Sequence, residues 1–258
     1  MGQLPGRVAV VTGGGRGIGR ALAQRFAREG ANVVISSRTA SDLDAVLAGI
    51  ADAGHPPGLA VVADASDRDE ARRPVHAALE QFGRVDILVN NVGGSVGRAH
   101  DPFTGDDASF EDTLALNLTS AWWTTRAALP AMREQQHGRI ISIGSGASKH
   151  AASSLAYTTA KHGLVGFTRQ LARATGTDGI TVNLLCPGWT NTSLLDFESV
   201  AKRAGTTVEE ARAKAEAENA QHRVLEPEEL AGMATLLASD EGAGITGQVI
   251  SVDGGYRL

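Results

Sequence analysis

Tyr157 and Lys161, four residues apart, are the side chains in this sequence best suited to proton transfer. The residues that follow, as far as Ala174, predict a continuing helix, and positions i and i+4 of a helix share one face. The ammonium would then lie beside the phenol and lower its pKa from the usual ~10. The pair therefore predicts a proton donor and acceptor that works near neutral pH. By itself the spacing also fits a surface tyrosine beside a solvated lysine.

A glycine-rich segment follows the first predicted strand, Val8–Val11, and opens the first predicted helix. Its glycines have the spacing G-x-x-x-G-x-G. Glycines allow a tight turn and bring backbone N–H groups close to a phosphate, and the helix N-terminus adds partial positive charge. A turn without a ligand is the alternative, but the position favours nucleotide binding. The candidate contacts are Gly13, Gly15, Arg16, Gly17, Ile18 and Gly19.

The second predicted strand ends in Ser37 and Arg38, with no acid at the position where an NAD site binds the ribose 2′-hydroxyl. Arg38 and Arg16 suit a 2′-phosphate instead, and one charged hydrogen bond gives about one to two decades of preference. We therefore predict NADP(H), the alternative being two solvated arginines. Asp64, next to Ala65, would either accept from the adenine amino group or cap the following helix.

Strand and helix patterns alternate along the chain. Short runs rich in Val and Ile are typical of strands buried on both faces of a parallel sheet. The alternation predicts an α/β fold, a seven-stranded, mostly parallel, doubly wound sheet with helices on both faces. Ser41 and Asp42 are expected to cap the second helix, and Pro227 fits the first turn of the last. The predicted strands are Val8–Val11, Val33–Ile35, Leu59–Val62, Ile87–Val89, Ile140–Ile143, Ile180–Leu185 and Val249–Val252; the predicted helices are Ile18–Glu29, Leu43–Ala53, Arg68–Gln81, Phe110–Gln136, Leu155–Ala174 and Glu228–Ala238.

The segment 190–223 is too long for a simple connection between a strand and a helix. Within it, Val208–Asn219 is polar, alanine-rich and helical in pattern. It fits either a lid over a substrate or a pair of solvated surface helices. No linker, repeat or low-complexity segment divides the chain, so we predict one domain over residues 1–258.

Composition excludes several classes of function. The 258 residues are 42% hydrophobic and 21% charged, with a net charge of −5, which suits one sizeable core and gives no basic stripe for nucleic acid. No stretch reaches the ~20 apolar residues of a membrane span, and no signal peptide is recognisable. No Cys/His cluster has zinc spacing, and the single Cys186 fits a buried small residue better than a nucleophile. We expect a cytoplasmic, metal-free protein with no nucleic-acid or membrane partner.

Together these residues resemble the short-chain dehydrogenase/reductase family over the whole chain. The resemblance implies a Rossmann-type fold, a nicotinamide cofactor and a small carbonyl or alcohol substrate. Several markers in the family's order make the match specific. They are the Thr12–Gly19 loop, Asp64, Asn90-Asn91-Val92-Gly93, Asn117, Ser145, Tyr157 with Lys161, Pro187-Gly188 with Thr192, and Val252-Asp253-Gly254-Gly255.

The resemblance assigns roles by position. Tyr157 would protonate the carbonyl oxygen, and Lys161 would bind the nicotinamide ribose and lower the tyrosine pKa. Ser145 would hydrogen-bond the substrate oxygen. Asn117 would hold a water, and its place inside a predicted helix fits either a functional kink or an exposed polar residue. Further implied cofactor contacts are Asn91, Val92 and Gly93 on the adenosine side, and Pro187, Gly188, Thr190 and Thr192 near the nicotinamide.

The sequence departs from the family pattern in two places. Val92 replaces the usual alanine and is expected to shift the loop after it. The interval from Ser145 to Tyr157 is one residue shorter than usual, so a strict count places Gly144 at the serine position. Ser145 is preferred because it directly follows a strand, and Ser148 is the alternative.

The substrate pocket is expected at the carboxyl ends of the strands, between Gly93–Arg98, Gly146–Leu155 and the lid. The sequence is similar in places to 3-hydroxybutyrate dehydrogenases, but Ser154 stands where those enzymes have a carboxylate-binding lysine. Other stretches resemble polyketide ketoreductases and 3-oxoacyl carrier-protein reductases. Candidate apolar lining residues are Val96, Leu155, Trp189, Leu194 and Leu195, and Arg98, Lys149 and His150 are either anion-binding or solvated.

Arg38 favours reduction, so we predict an NADPH-dependent reductase of a ketone or 3-oxoacyl carbonyl. The rivals are an NAD-dependent alcohol or hydroxy-acid dehydrogenase and a non-enzymatic NADP-binding sensor or scaffold. By analogy with the family, Phe110–Gln136 and Leu155–Ala174 would form a homodimer or homotetramer contact, although their apolar faces also fit ordinary core.

Overall fold

A parallel sheet organises the part of the chain that the structure, a computed structural model, describes: residues 2–97, 103–152 and 154–258. Its seven strands follow the order β3-β2-β1-β4-β5-β6-β7, and each neighbouring pair is parallel. The order changes direction between β1 and β4, where such sheets bind ligands outside the strand ends. The predicted fold class is confirmed. The strands are β1 (Val8–Thr12), β2 (Asn32–Ser37), β3 (Leu59–Val62), β4 (Ile87–Asn90), β5 (Gly138–Ile143), β6 (Ile180–Pro187) and β7 (Val249–Val252).

Helices cover both faces of this sheet. One core cluster packs the first, second and last helices onto the strands, with Leu22, Phe26 and Leu237 fully buried, and each such side chain contributes about 1.5–3 kcal/mol. The opposite face is covered through Val75 and Met132. The helices are α1 (Gly17–Arg28), α2 (Ala40–Asp52), α3 (Arg68–Phe82), α4 (Asp107–Leu114), α5 (Ser120–Glu134), α6 (Leu155–Thr175), α7 (Phe197–Ala204), α8 (Val208–Ala217) and α9 (Glu229–Ala238).

The helix predicted over Phe110–Gln136 is not continuous. It is divided into α4 and α5 by a π-helical segment, Ala115–Thr119, that contains Asn117. Such segments occur mostly as local bulges and are frequent at functional sites. The expected interruption at Asn117 is therefore present, and Asn117 is 1% exposed, not a surface residue.

The predicted starts of two helices are wrong. The N-cap of α2 is Thr39, with no capping side chain, because the Ser37 hydroxyl accepts from the Thr39 N–H at 3.2 Å and turns the chain before Ser41. Pro227 lies ahead of the last helix, whose N-cap is Glu228.

The insertion 190–223 contains two helices, α7 and α8, in which Ala201, Ala211 and Ala215 are buried while most other side chains are exposed. Cys186 is buried, as predicted. Among the described residues, no helix is long and apolar enough to cross a membrane. In the same residues, no group of three His, Cys, Asp or Glu could hold a metal ion.

Candidate active site

Tyr157 and Lys161 lie in the first two turns of α6. The helix begins after Ser154, whose hydroxyl accepts a hydrogen bond from the Tyr157 N–H at 3.2 Å. The Lys161 ammonium lies 5.5 Å from the centroid of the Tyr157 ring and donates to the Ile143 carbonyl at 2.8 Å. Since Lys161 is 2% exposed, its charge is held inside the protein beside the phenol.

Burial controls the pKa of both groups. It raises the pKa of Tyr157 above its ordinary value, although the Ser145 hydroxyl acts in the opposite direction. Burial also lowers the pKa of Lys161 to about 8. The predicted lowering of the Tyr157 pKa by Lys161 is therefore wrong here. The ammonium donates to the Ile143 carbonyl, and desolvation is the largest influence on the pKa of the phenol.

The loop after β5 brings Ser145 toward Tyr157 and turns Ser148 away. Ser145 caps the short 3₁₀ turn Gly146–Ser148, and its hydroxyl accepts from the Ala147 N–H at 3.2 Å. The Ser148 hydroxyl accepts from the Ser145 N–H at 3.2 Å and interacts with the thiol of Cys186. Because of this turn, a hydroxyl reaches Tyr157 although the interval from Ser145 to Tyr157 is one residue shorter than the family's usual one.

Asn117 connects the π-helical segment between α4 and α5 to the loop after β4. Its Oδ1 accepts from the Gly94 N–H at 3.0 Å, and its Nδ2 donates to the Gly94 and Thr113 carbonyls at 2.7 and 2.8 Å. A Cβ added at Gly93 would lie 2.7 Å from the Asn117 Oδ1 and 3.0 Å from the Lys161 Nζ. Asn117, Gly93 and Lys161 therefore converge on one point at the carboxyl edge of the sheet.

The glycine loop forms a cradle that side chains would fill. Gly13 and Gly17 have φ of 65° and 52°, which favours glycine. Side chains at Gly13 and Gly19 would collide with the Asn91 amide, whose nitrogen donates to the Thr12 and Gly13 carbonyls at 3.0 and 3.2 Å. With α1 starting at Gly17, the loop fits the diphosphate of a dinucleotide.

The side chains of Thr192 and Val92 pack against the same loop. A Cβ at Gly17 would lie 3.2 Å from both the Cβ and the methyl carbon of Thr192, and one at Gly13 would lie 3.2 Å from a methyl group of Val92. The valine that replaces the family's alanine thus packs against the cradle. Ile18 anchors the start of α1 on the core.

Exposed cations lie within the glycine loop and directly after the end of β2. Arg16 and Arg38 are both exposed, and Ser37 lies close to Gly15. The charge of Arg38 contributes to a lowered pKa of Asp64, after the larger effect of hydrogen bonds from Ser66. Asp64 does not cap α3, because that cap is Asp67. Ala65 lines a small cavity with Thr12 and Val92.

The segment after β6 completes the edge. Pro187 is the last residue of β6 and pairs with Val252, while Gly188 fits closely against Asp253. Thr190 is buried, and its hydroxyl donates to the Gly188 carbonyl at 3.0 Å.

Comparisons with known proteins agree with this geometry. The family model described as enoyl-(acyl carrier protein) reductase matches residues 13–257. D-beta-hydroxybutyrate dehydrogenase of Cupriavidus necator is 38% identical over 264 residues, with 98% of this chain and 99% of that protein covered. The chain belongs to the short-chain dehydrogenase/reductase family. Members of this family are oxidoreductases that bind a nicotinamide cofactor.

Two further relatives of this dehydrogenase/reductase cover nearly its whole length. The 3-oxoacyl acyl-carrier-protein reductase of Escherichia coli is 35% identical over 257 residues, with 99% of each protein covered. The crystal structure of a variant actinorhodin polyketide ketoreductase with NADPH has a TM-score of 0.91 at 32% identity, covering 100% of this chain and 99% of that one.

The candidate anion-binding residues of this dehydrogenase/reductase have other partners. The Lys149 ammonium donates to the Ser251 hydroxyl at 2.6 Å, and the His150 ring meets the Tyr256 ring edge-on at 6.0 Å. Arg98 lies outside the described residues.

Three positioning residues were missed by the sequence analysis. The Thr12 hydroxyl accepts from the Asn91 N–H at 3.1 Å, the Thr113 carbonyl accepts from the Asn117 amide, and Ser154 caps α6. Ser154 had a detectable signal, since a serine before a helical pattern is a common cap. Thr113 gave none.

Proposed function

We propose that this chain is an NADPH-dependent oxidoreductase that reduces a ketone or 3-oxoacyl carbonyl to a secondary alcohol. The observation that carries the proposal is the convergence of Ser145, Tyr157 and Lys161 at the carboxyl edge of the sheet, next to the glycine cradle. The 3-oxoacyl and polyketide reductases among the relatives support reduction.

The proposed mechanism assigns each side chain one task. NADPH supplies the hydride when bound. Tyr157 donates its proton to the carbonyl oxygen, and its raised pKa keeps the phenol protonated at neutral pH. Ser145 donates a hydrogen bond to the same oxygen as negative charge develops there. Lys161, held by its hydrogen bond to the Ile143 carbonyl, would bind the nicotinamide ribose and orient it.

The cofactor contacts follow the chain from the cradle to the insertion. Arg16, Ser37 and Arg38 would hold the 2′-phosphate, and Asp64 would accept from the adenine amino group. The insertion 190–223 would close over the substrate. The remaining proposed contacts are Gly13, Gly15, Gly17, Ile18 and Gly19 for the diphosphate, Ala65, Asn91, Val92 and Gly93 for the adenosine, and Pro187, Gly188, Thr190 and Thr192 for the nicotinamide.

The proposal also covers organisation. Residues 1–258 would act as one catalytic domain in the cytoplasm, assembled as a homodimer or homotetramer through α4–α5 and α6. Measuring the mass of the native protein by light scattering separates the two assemblies.

The first experiment measures initial rates of nicotinamide oxidation with NADPH and NADH over a panel of ketones, diketones and 3-oxoacyl thioesters. Faster oxidation of NADPH with any member supports the proposal. Oxidation of secondary alcohols or hydroxy acids with NAD alone contradicts it and favours the alternative suggested by the hydroxybutyrate dehydrogenase relative. NADPH binding without turnover on either panel favours a sensor.

The cofactor preference is tested by Arg38→Asp. This change removes the proposed 2′-phosphate contact and introduces an acid suited to a ribose hydroxyl, so the ratio of kcat/KM for NADPH over NADH should fall by about one to two decades. Arg28→Asp makes the same charge change at the far end of α1 and should leave the ratio unchanged. An equal ratio in both variants contradicts the role of Arg38.

A further inference from the structure

The last described residues, 253–258, form an arm between two segments of the site. On one side the ring of Tyr256, 7% exposed, packs so closely on Gly146 that a Cβ there would overlap it. On the other side the Gly254 and Gly255 carbonyls accept from the backbone N–H groups of Gln221 and Ala220 at 3.1 Å each. The arm therefore lies between the loop that follows Ser145 and the end of the lid, and it contacts both.

The Arg257 side chain of this arm forms hydrogen bonds to both segments. Its Nη1 donates to the Ala151 carbonyl at 2.9 Å, and its Nη2 donates to the Glu218 carboxylate at 2.7 Å. Its backbone N–H also donates to the Glu218 carbonyl at 2.9 Å. Arg257 has φ of 50°, which is uncommon for a residue with a side chain. The backbone thus takes a sparsely populated conformation at the residue that makes these contacts.

Glu218 extends the connection to the segment after β6. Its second oxygen accepts from the Trp189 Nε1 at 2.8 Å, and the Trp189 carbonyl accepts from the Leu225 N–H at 2.9 Å. Trp189 directly follows Gly188 at the carboxyl edge of the sheet, where β5 and β6 run side by side. One carboxylate therefore holds the indole and the guanidinium together.

The charges in this network favour a positioning role over a stabilising one. The Arg257 and Glu218 side chains are 38% and 20% exposed, and partly exposed ion pairs contribute little to global stability. Their hydrogen bonds, by contrast, join the loop after Ser145, the end of the lid and Trp189.

We propose that Arg257 is a positioning residue that, through Ala151 and Glu218, holds the serine loop, the lid and Trp189 in the arrangement that accepts the substrate. The inference rests on the proposed function. It predicts that the network affects binding of the carbonyl substrate and leaves the cofactor cradle, which it does not touch, unaffected.

The kinetic test uses Arg257→Met, Arg257→Lys, Glu218→Gln and the double variant Arg257→Met/Glu218→Gln. With acetoacetyl-CoA as the probe, Arg257→Met should lower kcat/KM about tenfold, mostly through KM, since one charged hydrogen bond is of that order. The KM for NADPH should change less than the KM for acetoacetyl-CoA, because the network does not touch the glycine cradle. Arg257→Lys should recover part of the loss, because an ammonium can replace one of the two contacts. The double variant should lose less than the sum of the single losses.

The matched control is Arg25→Met. Arg25 pairs with Glu29 at 2.7 Å with side chains 28% and 15% exposed, so it removes a similar ion pair away from the site. It should keep wild-type kinetics. Equal effects of Arg25→Met and Arg257→Met, or wild-type kinetics in Arg257→Met, overturn the proposal.

Hydrogen–deuterium exchange separates this inference from the proposed function. If the wild-type protein reduces no member of the panel, the proposed function fails, and exchange without substrate decides the role of the arm. Arg257→Met should exchange faster than wild type and Arg25→Met over 146–152 and 218–225 together, with an unchanged melting temperature. Unchanged exchange in either segment overturns the coupling.

Discussion

The phenol of Tyr157 lies between two opposing influences on its pKa. Burial raises the pKa, and the Ser145 hydroxyl lowers it. A phenol with the ordinary pKa of ~10 is already neutral near pH 7, and the net upward shift keeps it so, which suits a proton donor in reduction.

Tyr157→Phe tests this assignment. The change removes the proton while keeping the ring against Lys161, so kcat for NADPH-dependent reduction should fall by about 10²–10⁴-fold, the usual contribution of general acid catalysis. NADPH affinity, measured by fluorescence titration, should stay close to wild type, because the ring and Lys161 remain. A variant that retains most of its turnover would exclude Tyr157 as the donor.

For single residues, the sequence predicts which side chains lie in the site better than it predicts their pKa values. The spacing of Tyr157 and Lys161 predicted their shared helix face, and the strand end before Gly144 pointed to Ser145. The direction of the Tyr157 pKa shift could not be predicted, because it depends on how deeply the surrounding segments bury the phenol. That depth is a property of packing and not of the i,i+4 spacing.

The π-helical segment Ala115–Thr119 is the element that positions Asn117. By accommodating an extra residue in the helical turn, it turns the Asn117 amide toward the Gly94 backbone, with which it exchanges two hydrogen bonds. The only signal in the sequence was the asparagine itself, since a π segment has no distinctive residue pattern. The sequence therefore predicted a kink at Asn117 but not the division into two helices, α4 and α5.

Gly93→Ala tests this element. Its Cβ would lie 2.7 Å from the Asn117 Oδ1 and 3.0 Å from the Lys161 Nζ, so both groups must shift. We expect kcat to fall by at least about tenfold, since small displacements of positioned groups are costly, with a loss of stability of about 1–3 kcal/mol from overpacking. Steady-state kinetics and thermal unfolding measure the two effects.

Gly232→Ala in α9 is the matched control. No atom lies within 4 Å of the added Cβ, and alanine in place of glycine should stabilise a helix by about 0.5–1 kcal/mol. Its kinetics should equal those of wild type. If Gly93→Ala behaves like Gly232→Ala, the close approach of Gly93 to Asn117 and Lys161 has no catalytic importance.

A charged cluster lies at the edge of the sheet opposite the candidate active site. There the fully buried Asp86 carboxylate accepts from the Val8 N–H at 2.9 Å and from Arg84 at 2.6 and 2.8 Å, and Arg7 pairs with it at 3.3 Å. Runs of Val and Ile predicted every strand that this cluster ties together. They did not indicate the charged cluster, because a charged residue before a strand gives the same sequence pattern whether its side chain is solvated or buried.

His137 makes this edge sensitive to acid. Its Nε2 is buried without a hydrogen-bond partner among the described residues and lies 4.0 Å from Asp86. Burial, then the charges of Arg139 and Arg7, lower the pKa of His137 from 6.5 to about 4. The unfolded chain therefore binds a proton between those values that the folded protein does not. The stability from the neutral ring is complete above the unfolded pKa and is lost as pH falls toward the folded one, a loss of up to roughly 3 kcal/mol.

Asp86 adds a second loss at lower pH. Burial alone would raise the pKa of its carboxyl, but hydrogen bonds from Arg84 and the Val8 N–H hold it below the usual value. Its contribution is present above the unfolded pKa and disappears as pH falls through the lower, folded one. The free energy of unfolding should thus decline first through His137 and then through Asp86.

His137→Asn separates the two steps. The asparagine does not titrate, so between pH 6.5 and about 4 the free energy of unfolding should become nearly flat, whereas wild type should decline by up to about 1.4 kcal/mol per pH unit. Denaturant unfolding at a series of pH values measures both slopes. His76→Asn, at an exposed histidine on α3, should keep the wild-type slope. If His137→Asn keeps that slope as well, another group must carry the acid sensitivity, because the loss below the unfolded histidine pKa requires a side chain that the fold holds unprotonated.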